Sequence, residues 1–151
     1  MAHAYNDQSV RNCLKAGVRS IEHGNLIDEE TAHLIARASA YLVPTLVTYE
    51  AGVRIASGSD LLGPLQDRKA RELEIKTEVL SPMESLVSAT KTNASLFGME
   101  DEIGTVEEGK LADLLVVEGN PLENIALLQK KSNLKLIMKS GRTFKYELEE
   151  S

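Results

Sequence analysis

Apolar residues in this chain fall into short runs separated by stretches with helical spacing. Residues 1–5 read as the tail of a strand, and residues 7–16 place Val10, Cys13 and Leu14 on one face of a helix that Gly17 stops. Residues 18–22 are a second short strand. Asp28 then caps a helix whose apolar positions are Ala32, Leu34, Ile35 and Ala38, and Asp28 with Thr31 makes a partial capping box. Residues 42–47 form a β-branched strand interrupted by Pro44, and residues 53–57 form another that leads into Gly58, Ser59 and Asp60. A stronger helix begins at Ser81, with Pro82 in its first turn and Glu84 at its third position, and runs to Phe97 before Gly98.

This alternation of strand and helix predicts an α/β fold with a parallel sheet buried on both faces. Functional groups in such sheets sit in the loops beyond the carboxyl ends of the strands. Three of those tips carry side chains able to bind a metal: His3, His23 and Asp60. Singly, none decides anything. His23, in the stretch "SIEHGNLIDEE" at 20–30, could be a ligand, a base or packing, and Asp60 alone reads first as an Asx turn or a helix cap. Together, two imidazoles and a carboxylate suit zinc, manganese or iron. His33, on the helix after His23, is expected on the surface.

After Gly98 the character changes. Residues 103–121 contain two Gly-marked turns, an unbroken apolar strand at 114–117 and an Asn-Pro turn, and "LKLIMKSGRTF" at 134–144 reads as a hairpin turning at Ser140-Gly141. These antiparallel signals predict a small separate β-layer.

Composition narrows the functional classes. The 151 residues are 42% hydrophobic and 26% charged, an ordinary balance for a globular protein. A net charge of −6, without basic residues interleaved with aromatics, argues against a nucleic-acid surface. Apolar runs are too short to span a bilayer, and Asn6 and Asp7 interrupt any signal sequence, so no membrane association is expected. Cys13 is the one cysteine and fits a reducing, cytoplasmic setting as core filler. No strand precedes a Gly-rich phosphate loop, which disfavours a Rossmann nucleotide site.

"HAY" at 3–5, "GVRSIEHG" at 17–24, "LVPTLV" at 42–47, "GSDL" at 58–61 and "GTVEEGKLADLLVVEGNP" at 104–121 carry a resemblance. The chain resembles the second half of the amidohydrolase superfamily, in particular its imidazolonepropionase-like and Xaa-Pro dipeptidase-like members. The resemblance implies a partial (β/α)8 TIM barrel, strands 5 to 8 with their helices, over residues 1–100. Residues 101–151 would be a C-terminal piece of the family's β-sandwich. It also implies one or two divalent metals, zinc foremost, and a small-molecule amide or dipeptide as substrate. His3 matches the fifth-strand histidine, His23 the sixth-strand histidine and Asp60 the eighth-strand aspartate. In the family that aspartate binds metal, takes the proton from the attacking water and passes it to the leaving nitrogen. Tyr5 would face the same mouth, in a substrate contact or a packing role.

Two departures accompany the resemblance. The family's first-strand His-x-His pair and its metal-bridging fourth-strand lysine have no counterpart, so what remains is half a site. A chain of this sequence is expected to lack hydrolytic activity alone. The alternative is a non-catalytic α/β fragment or partner-binding module from a spliced or incomplete gene product. The second departure is the short stretch 48–52, which leaves five residues where a parallel crossover needs a dozen or more. It reads as a deletion junction at Glu50–Ala51, with antiparallel pairing or a strand leaving the sheet, either of which would displace Asp60 from His23. Unpaired sheet edges further predict self-association.

Overall fold

Asn6 ends the first strand and starts the first helix. Its side chain accepts the Ser9 amide at 3.0 Å while Ser9 Oγ accepts the Asn6 amide at 3.2 Å, a reciprocal capping box. In the computed structural model, which describes residues 1–43, 52–59 and 63–148, this junction opens a unit spanning Met1–Gly58. It holds β1 (Ala2–Asn6), α1 (Asp7–Lys15), β2 (Ser20–Leu26), α2 (Glu29–Arg37), β3 (Tyr41–Val43) and β4 (Arg54–Ile55).

The four strands pair in the order β1-β2-β3-β4, every neighbour parallel. Ile21, Leu42 and Ile55 share one rung and, with Ala4, Val10, Ala32 and Ile35, form the core; Cys13 and Leu14 pack against it as expected. Sequence reading buried both faces of each strand. β1 instead alternates, with Ala4 buried and His3 and Tyr5 exposed, so the face opposite the core carries its polar groups.

The expectation of antiparallel pairing after the short connection is not met. β3 and β4 are parallel, with Tyr41 opposite Arg54 and Leu42 opposite Ile55. The reason is strand length. β3 (three residues) and β4 (two) share only two rungs, a far shorter overlap than the full-length strands for which the crossover rule holds. The strand residues 44–47, the Glu50–Ala51 junction and Asp60 lie outside the described residues.

The second unit is Ser59–Ser151. Its helices are α3 (Arg71–Lys76), α4 (Pro82–Val87) and α5 (Asn93–Phe97), the last two joined through a π-helical turn at Ser88–Thr92. Ser81 caps α4 in a capping box with Glu84, and Gly98 ends α5 in the left-handed region, both as the sequence indicates. Lys76 is buried between these helices, its ammonium 2.9 Å from Glu72 and 3.2 Å from Ser88 Oγ. Strands β5 (Leu114–Val117), β6 (Leu134–Lys139) and β7 (Arg142–Tyr146) form an antiparallel sheet, with the expected turn at Ser140-Gly141. Asp113 fastens that turn by accepting the Ser140 amide at 2.6 Å.

Candidate functional site

The parallel sheet brings two of the three expected ligands together. His3 Nδ1 lies 2.8 Å from His23 Nε2, although 20 residues separate them in sequence. Strict alternation would have prevented this. His3 pairs with Glu22, so its face of the sheet is that of Glu22, while His23 should follow Ile21 onto the core face.

Two local features turn His23 over. Between the pairs Ala4↔His23 and Asn6↔Leu26, β2 contains one residue more than β1, which is a bulge. His23 itself has φ of 79° and Gly24 follows at 62°, both in the left-handed region. Histidine tolerates that conformation better than branched residues, and glycine adopts it without strain. Gly24 is needed for a second reason: a Cβ there would stand 2.9 Å from Leu42 Cδ1. β2 therefore continues through His23 to Leu26 instead of stopping at Glu22.

Tyr5 completes the cluster. Its ring stacks on His23 with centroids 4.5 Å apart and planes 7° from parallel, and the His3 ring centroid is 5.0 Å from that of His23. Tyr5 remains 50% exposed, so one face of the ring packs while the rest is open to solvent. His33 is on the surface, beside Glu29 at 3.6 Å.

Glu22 was missed at the sequence level. It shares the His3 rung and accepts a hydrogen bond from Ser20 Oγ at 2.7 Å. Its adjacency to His23 was the available signal. Asp7 was also missed; its carboxylate accepts the Asp28 amide at 2.8 Å, joining the turn after β1 to the loop after β2.

Can this arrangement hold a metal? Two imidazole nitrogens at 2.8 Å either share a proton in a hydrogen bond or sit close to the spacing of two ligands on one ion. Nitrogens about 2.0–2.1 Å from a tetrahedral ion stand roughly 3.3–3.4 Å apart, somewhat wider than this contact. The donor set fits as two ligands. Among the described residues no third His, Cys, Asp or Glu completes a cluster, and Asp60 lies outside them.

Similarity to known proteins agrees with the motifs. The ochratoxinase of Aspergillus niger is 27% identical over 95% of this chain, which covers 37% of that protein. The match runs over 183 residues, more than the 151 present here, so part of the relative's aligned segment has no counterpart. The imidazolonepropionase of Thermoplasma volcanium is 31% identical over 72% of the chain, covering 31% of that protein. The crystal structure of a prolidase complexed with N-methylphosphonate-L-proline superposes with a TM-score of 0.91 at 32% identity, over 97% of this chain and 45% of that one. The chain thus spans less than half the length of these relatives. With the sequence pattern of the amidohydrolase family matched over residues 1–144, the chain belongs to that family.

Proposed function

We propose that this chain carries metal-binding strands of a hydrolase for carbon–nitrogen bonds in small amides or dipeptides, and that the 151-residue polypeptide alone is inactive. The observation that carries the reading is the approach of His3 Nδ1 to His23 Nε2 from adjacent parallel strands in an amidohydrolase-family chain. Members of the family generally bind divalent metals. Such a metal, zinc in this reading, supplies Lewis acidity that acidifies water and polarises an amide carbonyl.

The residues divide the work as follows. His3 and His23 would hold the metal through their imidazoles. Tyr5 holds the His23 ring by stacking and offers its phenol hydroxyl to substrate. Asp60 would be the third ligand and would hold the proton at its carboxylate on the way to the leaving nitrogen.

In the same reading β1–β4 are strands five to eight of a (β/α)8 barrel within residues 1–100, and residues 101–151 contribute to a β-sandwich. Glu50–Ala51 marks an internal deletion, which the surplus length of the ochratoxinase match supports. Inactivity rests on composition. Within these 151 residues the histidines stand at positions 3, 23 and 33, so this segment by itself supplies no His-x-His pair for a two-metal set. A non-catalytic, partner-binding role draws support from the exposed Val116 and Tyr146, which share one face of the antiparallel sheet, and from the exposed Phe144; these groups also favour self-association.

The test is hydrolysis of an Xaa-Pro dipeptide by the purified chain with added zinc or manganese. The expected rate does not exceed metal in buffer. Turnover abolished by Asp60→Asn would show the chain to be an enzyme as it stands.

A further inference from the structure

Asp7 links the segments that follow β1 and β2, and we infer that it is a positioning residue for the His3–His23 pair. The inference rests on reading those histidines as metal ligands.

Asp7 is the first residue of α1, directly after β1, and its Oδ1 accepts the Asp28 amide at 2.8 Å across 21 residues of sequence. Asp28 stands just past β2 and caps α2 by accepting the Thr31 amide at 2.7 Å. One hydrogen bond therefore clamps the exits of both strands together, immediately beyond the bulge that turns His23 over. Arg11 lies 3.1 Å from Glu30 and 3.9 Å from Asp28, and its positive charge offsets the acidic groups gathered there.

The clamp matters because the bulge stores strain. Left-handed φ at His23, a residue with a Cβ, is costly and persists only where the surroundings over-determine it. If the extra residue of β2 redistributed along the strand, alternation would return His23 to the face of Ile21, away from His3 and Tyr5. Fixing Asp28 relative to Asp7 holds the chain beyond the bulge in one position relative to the end of β1. Tyr5 thus stacks on the His23 ring while the Asp7–Asp28 hydrogen bond restrains the backbone beyond it.

A different role for Asp7, a negative charge at a helix start, makes the opposite forecast for one variant. Asparagine keeps the acceptor oxygen and loses the charge. Zinc affinity, read by competition with a chromophoric chelator, should fall about 10-fold or more in Asp7→Ala and stay near wild type in Asp7→Asn. Single-residue hydrogen exchange on the metal-free chain should show the Asp28 amide slow in wild type and Asp7→Asn, and fast in Asp7→Ala with faster exchange at Gly24. Wild-type zinc affinity in Asp7→Ala, or equal weakening in both variants, overturns the inference. If the wild type binds zinc no better than His23→Ala, the metal reading fails and the exchange data decide the role of Asp7. If Asp7→Ala does not fold, wild type and Asp7→Asn decide it, and fast Asp28 exchange in either one overturns it.

Discussion

The ring of Tyr5 lies flat against that of His23, centroids 4.5 Å apart, on the face of the sheet opposite the core. Stacked aromatic pairs contribute about 0.5–1.5 kcal/mol beyond area burial, which corresponds to roughly 2- to 13-fold in an affinity that depends on ring orientation. Tyr5→Ala should weaken zinc binding by several-fold, and Tyr5→Phe, which keeps the stack, should not. A chelator-competition titration on both variants checks this. Equal loss in Tyr5→Phe would assign the effect to the hydroxyl.

Gly104 forecasts a stability difference. A Cβ there would stand 2.6 Å from Ala94 Cβ and 3.1 Å from the Thr90 carbonyl oxygen, at φ of 95°. Gly109 has φ of 89° and nothing within 4 Å. Gly109→Ala should cost about 1–2 kcal/mol from its backbone alone. Gly104→Ala adds overpacking and should cost about 1–3 kcal/mol more. Urea unfolding of the two variants measures the gap, and equal midpoints would mean that the close approach at Ala94 is absent in solution.

Lys76 gives a pH dependence. Burial pushes its pKa below the ordinary 10.5, with Glu72 opposing the shift. The unfolded chain then binds more protons than the folded one between the lowered value and 10.5, so this group makes stability rise with pH across that window. Lys76→Met should remove the rise. At neutral pH it should also lower stability, because the Lys76–Glu72 ion pair at 2.9 Å is lost. Thermal unfolding of wild type and variant from pH 7 to 10.5 tests both statements; parallel curves would refute the first.

Exposed apolar groups on the antiparallel sheet predict association. Phe144 is 63% exposed, and Leu115 and Tyr146 are similarly open, on a three-stranded sheet whose outer strands are β5 and β7. Sedimentation at micromolar concentration should show species heavier than a monomer, reduced by Phe144→Lys. A clean monomer that unfolds cooperatively would refute this.

Much of this was legible from sequence because it is local. Ser81, Pro82 and Glu84 announce a helix start, Gly98 announces its end, and Ser140-Gly141 announces a hairpin, each through interactions within a few residues. The apolar runs likewise indicated a parallel sheet. The orientation of His23 was not legible, because period-two alternation points it toward the core and only the bulge and left-handed backbone reverse that. The β3–β4 pairing was misread because the crossover rule was applied to full-length strands, whereas the paired rungs are only Tyr41 with Arg54 and Leu42 with Ile55. Asp7 gave no signal, since its partner Asp28 is 21 residues away.

The central claim is that His3 and His23 form half of a metal site, and metal content tests it most directly. Wild type, His3→Ala and His23→Ala should be loaded with zinc, dialysed against metal-free buffer and assayed for bound metal. The account predicts up to about one zinc per wild-type chain, as for a single site using both imidazoles, and loss of that zinc in either variant. Zinc at the level of the buffer in the wild type, or zinc retained in full by His23→Ala, would contradict it.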